Sequence, residues 1–203
     1  MTGRPPDDDQ DDDGAVVRQS LERPEAFALL YDRYAPDIHR YAARRLGDGA
    51  ADDITADTFL TAFRIRARFD TGRQSARPWL YGIAANLIGK QRRTEVRGLR
   101  ALARTGRDPV AESWVERADS RVTAEGAQAA LAGAVAGLSG GDRHVLLLVA
   151  WADFTYQEVA DALSIPIGTV RSRLNRARRK VSTALGGADP TRVTDVAEAT
   201  SHG

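Results

Sequence analysis

Hydrophobic positions in residues 155–181 recur with helical spacing on both sides of a short break. Before the break, apolar side chains stand at i, i+3, i+4 and i+7, which are Tyr156, Val159, Ala160 and Leu163. Pro166 cannot continue a helix and biases Ile165 away from helical angles, so the first helix must end there. After the break, one face of a second helix carries Val170, Leu174, Ala177 and Val181. The pattern predicts a helix-turn-helix.

The outer face of the second helix is polar and basic. Six of the ten residues in 171–180 are basic and none is acidic. Arginine can fork onto guanine, asparagine can pair with adenine, and serine or threonine can serve either. An amphipathic hairpin with a solvated basic face is the alternative, but this mixture of side chains favours DNA binding. The candidate contacts are Thr169, Arg171, Ser172, Arg173, Asn175, Arg176 and Arg179.

Helical periodicity also begins near residue 23. Pro36 is expected to end or bend the first helix there, residues 38–46 resume it, and residues 47–49 form a turn. The stripe of this helix is aromatic and apolar: Phe27, Leu30, Tyr31 and Tyr34.

Residues 52–69 form a helix whose apolar positions do not fall on one stripe. Ile54 and Ile65 lie on one side, opposite the group of Phe59, Leu60 and Phe63. Such a helix is either fully buried or held between a core and a partner. The acids at i and i+4, Asp53 and Asp57, favour the partner surface.

A polar loop at 70–78 leads into a predicted helix at 79–93 that ends in a basic run. Aromatic side chains, a polar loop and a basic helix end are the ingredients of a single-stranded nucleic-acid site. An ordinary helical hairpin with aromatic core residues is the alternative, and composition alone favours that alternative. The candidate residues are Phe69, Arg73, Ser75, Trp79, Tyr81, Asn86, Lys90, Arg92 and Arg93.

The remaining segments predict a two-domain chain with polar ends. Residues 1–22 are acidic and read as a disordered tail, residues 98–128 as a flexible linker, and residues 187–203 as a C-terminal tail. Domains are therefore expected at 23–97 and 129–186. Ser139 is expected to cap an almost wholly apolar helix that forms the core of the second domain.

Composition narrows the class of protein. Among 203 residues, 42% are hydrophobic and only 6% aromatic, which favours an all-α fold. The chain has no cysteine, and no motif of a metal site, phosphate loop or nucleophile–base pair stands out. It has neither an apolar run of membrane-spanning length nor a signal peptide, so we expect a cytoplasmic protein that does not insert into membranes.

Net charge is +1, but its distribution is uneven. Residues 1–14 contain six Asp and one Arg, a net of −5, which leaves +6 for the rest of the chain. A near-neutral total is thus compatible with a nucleic-acid-binding protein that carries an acidic tail.

Taken together, these motifs resemble an extracytoplasmic-function (ECF, group 4) sigma factor of bacterial RNA polymerase, a member of the sigma-70 family. The segment LSGGDRHVLLLVAWADFTYQEVADALSIPIGTVRSRLNRARRKV resembles the sigma region-4 domain. The segment DDITADTFLTAF resembles the part of region 2 that docks on the polymerase clamp helices, and RPWLYGIAANLIGKQRR the part that reads the −10 element. Family members usually have Gly at the turn position held here by Ser164, which would then adopt a positive φ at modest strain.

The resemblance implies two small helical domains, a region-2 bundle and a region-4 helix-turn-helix, and no catalysis or cofactor of the chain's own. It implies −35 contacts by the outer face of the second helix, led by Arg171, Ser172 and Arg176. It implies a grip on an unpaired −10 base by Phe69, the 70–78 loop and Asn86. Implied partners are promoter DNA, the polymerase core through its β′ clamp helices and β flap, and an anti-sigma factor. The polymerase contacts would be Asp53, Asp57, Phe59, Leu60 and Phe63.

Two other classes of function remain open at this point. A conventional helix-turn-helix regulator would bind duplex DNA without polymerase and would carry a sensor domain. An enzyme with a DNA-binding appendage would need a catalytic constellation that the scattered His and Asp residues lack at the right spacing.

Overall fold

The computed structural model describes residues 12–105 and 121–185, and all of its regular structure within these ranges is helical. The predicted all-α fold is confirmed. Two single-turn 3₁₀ helices cover Pro24–Phe27 and Arg66–Arg68. The α-helices are α1 (Asp13–Glu22), α2 (Ala28–Leu46), α3 (Asp48–Ile65), α4 (Arg77–Lys90), α5 (Arg92–Thr105), α6 (Arg121–Ala136), α7 (Gly140–Ala152), α8 (Tyr156–Leu163) and α9 (Ile167–Ala184).

The chain divides into two compact units. The first contains α1 to α4, and the second contains α5 to α9, except that residues 161–164 at the end of α8 group with the first. The core of the first unit forms where α2, α3 and α4 pack together. Its fully buried side chains include Leu30, Ile38, Ile54, Leu80 and Ile88.

The disordered tail predicted at 1–22 is wrong for its second half, which forms α1. Asp12 caps this helix by accepting a hydrogen bond from the Ala15 amide at 3.0 Å. Val17 is fully buried, and so is the carboxylate of Asp13. The last two acids of the run are therefore a helix cap, Asp12, and a buried, hydrogen-bonded carboxylate, Asp13. A prediction of disorder from composition assumes instead that every Asp is solvated. Residues 1–11 lie outside the described part of the chain.

Pro36 does not end the helix, because α2 is continuous through it. Pro36 stands on the exposed side, where water can satisfy the Asp32 carbonyl that the proline nitrogen cannot serve. The turn predicted at 47–49 is a single residue, Gly47, which lies between the end of α2 and the start of α3 and has a φ of 87°.

The buried side of α3 is a single stripe, contrary to the two-sided pattern expected from its apolar residues. The stripe includes two threonines that sequence reasoning treated as polar. Thr55 donates its hydroxyl hydrogen to the Ala51 carbonyl at 2.7 Å, and Thr58 donates to Ile54 at 2.6 Å. With those hydroxyls satisfied inside the helix, both side chains are buried at little cost.

The linker predicted at 98–128 is helical at both ends, and α5 crosses the expected domain boundary at residue 97. α5 packs against α6 in the second unit. Leu99 is buried, which low apolar density alone did not reveal. Residues 106–120 in the middle of this segment lie outside the described part, as do residues 186–203.

In the second unit, α7 and α6 both pack against α9. Ser139 caps α7 as predicted, accepting a hydrogen bond from the Asp142 amide at 3.2 Å. No helix in residues 12–105 and 121–185 has the length and hydropathy needed to cross a bilayer. The same residues contain no group of three or more His, Asp or Glu placed to hold a metal ion.

Candidate nucleic-acid interface

The predicted helix-turn-helix is confirmed, with α8 and α9 on either side of residues 164–166. The four predicted apolar positions of α9 are all buried, so the opposite side of the helix faces solvent. Among the predicted −35 residues on α9, Thr169 and Arg173 are half-buried. The exposed ones are Arg171, Ser172, Asn175, Arg176 and Arg179.

Arg176 is tied to α7 by an ion pair. Its Nη1 lies 3.1 Å from Oδ1 of Asp142, whose side chain is buried although that of Arg176 is 49% exposed. Asp142 lies in the first turn of α7, where a negative charge also interacts favourably with the helix dipole. Arg176 is one of the three leading candidates for base reading, and this pair holds it against α7. Its side chain therefore stabilises the domain as well as facing solvent.

Arg173 also packs back onto α7. A Cβ placed on Gly141 would lie 2.8 Å from Arg173 Nη1, so the guanidinium covers the glycine. Since Arg173 is half-buried there, it offers less of its surface to a groove than Arg171 does.

A groove of about 490 Å³ lies between the first residue of α8 and the outer side of α9. It combines three guanidinium groups with an amide, a hydroxyl and a phenol, which are groups suited to phosphates and base edges. The lining residues are Tyr156, Arg171, Leu174, Asn175, Arg178, Arg179 and Ser182.

The turn between α8 and α9 has the backbone strain expected at Ser164. Its φ is 51°, in the left-handed region that glycine occupies without cost. The Ile165 amide donates to the Ala160 carbonyl at 3.0 Å, which closes the end of α8. Ser164 therefore keeps the geometry of the turn, with the strain stored at one residue.

The loop that precedes α4 is closed at its base by two aromatic rings. Phe69 and Trp79 have centroids 4.9 Å apart at 49°. Phe69 is buried, whereas Trp79 is half-buried. The loop side chains Arg73 and Ser75 are exposed between these anchors.

The predicted −10 residues on α4 are split between core and surface. Tyr81 is 3% exposed, and its ring centroid lies 5.1 Å from that of Tyr41. Burial raises the pKa of Tyr81. A stacking platform needs an open face, so Tyr81 is placed as a core residue, whereas Asn86 and Lys90 are exposed. The side chains of Arg92 and Arg93 lie outside the described part of the chain.

The predicted polymerase-binding residues are likewise not all on the surface. Phe59 is 5% exposed and packs edge-on against Tyr31 at 4.9 Å, so it belongs to the core rather than to a contact surface. Asp53 and Asp57 are exposed, and Leu60 is 46% exposed. Phe63 is half-buried, with the Arg66 guanidinium carbon 3.8 Å from its ring centroid. We call the exposed stripe of Asp53, Asp57 and Leu60 the α3 face.

Sequence reasoning missed two acidic residues that position these elements, Asp13 and Asp142. Asp142 had a usable signal, because an acid three residues after a capping serine lies in the first turn of a helix. Asp13 had no comparable signal, because it is the last of six Asp residues in an acidic run and its partners are distant in the sequence.

The sequence matches known families in both units. Residues 30–98 match the family described as Sigma-70 region 2, and residues 128–181 match Sigma-70, region 4. ECF RNA polymerase sigma factor SigC of Mycobacterium tuberculosis is 32% identical over 187 residues, covering 90% of this chain and 96% of that protein. ECF RNA polymerase sigma factor SigL of the same species is 31% identical over 157 residues, covering 77% of this chain and 86% of its own.

Solved structures share the fold. CnrH in complex with the cytosolic domain of CnrY has a TM-score of 0.59 at 24% identity, covering 87% of this chain and 98% of its own. The sigma factor RpoE of Bartonella quintana, in complex with the anti-sigma factor NepR, has a TM-score of 0.54 at 22% identity, covering 79% and 96%. A region-2 bundle and a region-4 helix-turn-helix define a promoter-recognition protein of the sigma-70 type. This chain belongs to the ECF sigma factors.

Proposed function

We propose that this protein binds the RNA polymerase core and directs it to promoters by recognising a −35 element and melting a −10 element. The observation that carries the proposal is that one chain combines both sigma regions with an exposed basic recognition helix, α9. Sigma-factor relatives along most of the chain favour this function over a conventional helix-turn-helix regulator.

For the −35 element, α9 enters the major groove with its outer side toward the bases. Arg171, Ser172 and Asn175 read base edges, because they are exposed and carry the matching donors and acceptors. Thr169 and Arg179 contact the backbone. Arg173 and Arg176 hold α9 against α7 and add positive charge to the interface.

For the −10 element, the loop between Phe69 and Trp79 receives an unpaired base. Ser75 and Asn86 supply hydrogen bonds, and Lys90 supplies charge for the strand. Unpairing a base costs a few kcal/mol, which pocket contacts and stacking must offset. Arg92 and Arg93 follow Lys90 in the sequence and continue the basic run toward the phosphates.

For the polymerase, the α3 face docks on the β′ clamp helices. Its exposed leucine beside two acids suits a partner that presents an apolar patch next to basic residues. The basic end of α9 contacts the β flap. An anti-sigma factor is a further expected partner, because the structural neighbour RpoE is in complex with the anti-sigma factor NepR.

The test is run-off transcription. Purified protein is added to bacterial core polymerase with fragmented genomic DNA of the source organism, and the transcripts are sequenced. We expect a small set of start sites that share −35 and −10 elements. Core alone, and core with a variant carrying Leu60→Asp on the α3 face, serve as controls that should yield no such set.

The contrary outcome is also defined. If no start site depends on the protein, while the protein alone binds a duplex sequence tightly, the sigma function is wrong and the conventional regulator stands. If Leu60→Asp initiates normally, the role of the α3 face is wrong although the function stands.

A further inference from the structure

The carboxylate of Asp13, at the first position of α1, is fully buried and shared among three donors. Oδ2 accepts the Tyr34 hydroxyl at 2.7 Å and the Ala76 amide at 2.6 Å. Oδ1 accepts a charged hydrogen bond from Arg33. A buried carboxylate is stable only when it is paired and hydrogen-bonded, and here both requirements are met.

Two of these donors belong to α2, but the third, Ala76, belongs to the segment between Phe69 and Trp79. The backbone of Asp13 contacts the same segment, because its amide donates to the Gln74 carbonyl at 3.0 Å. Tyr34 adds a weaker contact, with its hydroxyl 3.4 Å from the Ser75 hydroxyl. α1 and α2 thus contact three consecutive residues, 74–76. The contacts are made to the backbone of Gln74 and Ala76 and to the side chain of Ser75.

Gly14 allows this approach. A Cβ there would overlap the Thr71 carbonyl oxygen and lie 2.9 Å from the Arg73 carbonyl oxygen. The loop backbone therefore rests directly on the first turn of α1, which only glycine permits.

The hydrogen-bond network keeps one protonation state at Tyr34. Burial, and then the hydrogen bond to Asp13, raise the pKa of Tyr34 to about 12, so its hydroxyl remains a donor at physiological pH. The side chains of residues 73–75 are exposed, and the backbone that carries them is held by α1 and α2. A fixed backbone with exposed side chains is what a loop needs in order to discriminate a base.

We infer that Asp13 is a positioning residue for −10 recognition, which holds residues 74–76 in the conformation that receives the unpaired base. The inference rests on the proposed function, because it takes the 69–79 segment to be the −10 reader. It extends the −10 site to α1, a helix that lies before the region-2 family match at residues 30–98.

The variant that tests it is Asp13→Asn. An amide cannot accept hydrogen bonds at both positions, so one of the three donors would face an NH₂ group. The matched control is Asp12→Asn, which removes the same charge one residue earlier and keeps a good cap for α1. Tyr34→Phe is the second variant, because it removes one contact and keeps the ring in the core.

Two measurements are made on each full-length protein. Hydrogen exchange followed by mass spectrometry reports the order of residues 70–76 without any DNA. We expect exchange at the Ala76 amide to accelerate by at least about tenfold in Asp13→Asn and by less in Tyr34→Phe, since a charged acceptor is worth more than a neutral donor.

The second measurement uses holoenzyme and a promoter from the run-off map, with each −10 and −35 position substituted in turn. We expect Asp13→Asn to reduce the preference for the best base at loop-read −10 positions by about tenfold. Preference at −35 positions and affinity for core should match those of Asp12→Asn. A ratio of preferences does not depend on how much of the variant is folded, so simple destabilisation would leave it unchanged.

Each contrary result is distinct. Unchanged exchange at Ala76 in both Asp13→Asn and Tyr34→Phe would overturn the inference. Faster exchange with unaltered base preferences at −10 would also overturn it, and so would an equal loss of transcription from all promoters. If Asp13→Asn does not fold, Tyr34→Phe decides by the same criteria. If the unmodified protein initiates nowhere, the proposed function fails and the inference falls with it, whatever the exchange shows.

Discussion

Arg143 lies fully buried beside Glu95, with its Nη1 2.9 Å from the glutamate Oε2. The same guanidinium donates to three carbonyls around the end of α6: Val135 at 3.0 Å, Ala136 at 2.9 Å and Leu138 at 3.0 Å. One side chain on α7 therefore caps α6 and pairs with α5. This arrangement makes α5 part of the second unit, although its first six residues fall in the expected first domain.

Replacing Glu95 with Gln should destabilise the second unit by about 3 kcal/mol, because it leaves a buried guanidinium without its counter-charge. Arg143→Met should cost more, because it also leaves the three carbonyls of α6 without a donor. Urea unfolding followed by circular dichroism gives both values. A loss below 1 kcal/mol in Arg143→Met would contradict the structural role assigned to the pair.

Ser164→Gly should stabilise the protein by about 0.5 kcal/mol. Glycine removes the Cβ strain at a φ of 51°, and this gain exceeds the greater entropy of glycine in the unfolded chain. Ser164→Ala is the matched control and should give no gain, since alanine keeps the Cβ. The midpoint of urea unfolding measures both, and equal midpoints for Gly and Ala would show that the turn is unstrained.

Arg171→Ala and Arg176→Ala should each weaken −35 recognition by about 1–3 kcal/mol. They should differ in stability, because only Arg176 is paired with Asp142. A half-exposed pair is worth about 1 kcal/mol, which Arg176→Ala should lose and Arg171→Ala should retain. Competition binding of holoenzyme to promoter DNA, together with thermal unfolding, separates the two effects. Equal losses of stability would refute the distinction between them.

Asn86→Ala should spare polymerase binding but impair promoter opening, because its exposed amide faces away from the core of the first unit. Gln19→Ala, an exposed amide on α1, is the control. Fluorescence of 2-aminopurine placed in the −10 element reports opening, and the affinity for core is measured separately. Normal opening by Asn86→Ala would remove this residue from the −10 site.

Tyr34 should make the fold sensitive to high pH. Its pKa is about 12 in the folded protein and about 10 in an unfolded chain, so its contribution is complete below pH 10 and is lost as pH rises toward 12. By pH 11 the protein should have lost about 1 kcal/mol relative to Tyr34→Phe, which cannot ionise. Urea unfolding of both proteins at pH 9 and pH 11 gives this difference, and a constant difference between them would contradict the raised pKa.

Much of the fold was predictable from local patterns. The stripe of α9, the cap at Ser139 and the break at Pro166 depend on residues within a few positions of one another, and helical periodicity records such relations directly. The resemblance to ECF sigma factors rested on the same segments, and the family matches confirm it. The strain at Ser164 followed from the glycine that the family usually has there.

Other features depended on distant residues. The sequence by itself determined the helix-turn-helix, the buried face of α9, the cap of α7 and the family, because each is a matter of neighbouring side chains. Only the tertiary structure showed that Asp13 is buried against residues 74–76, that Phe59 and Tyr81 belong to the core, and that Arg176 is held by Asp142. The charge and polarity of a side chain do not reveal its partner, and burial of a charged group is stable only when the fold brings that partner to it.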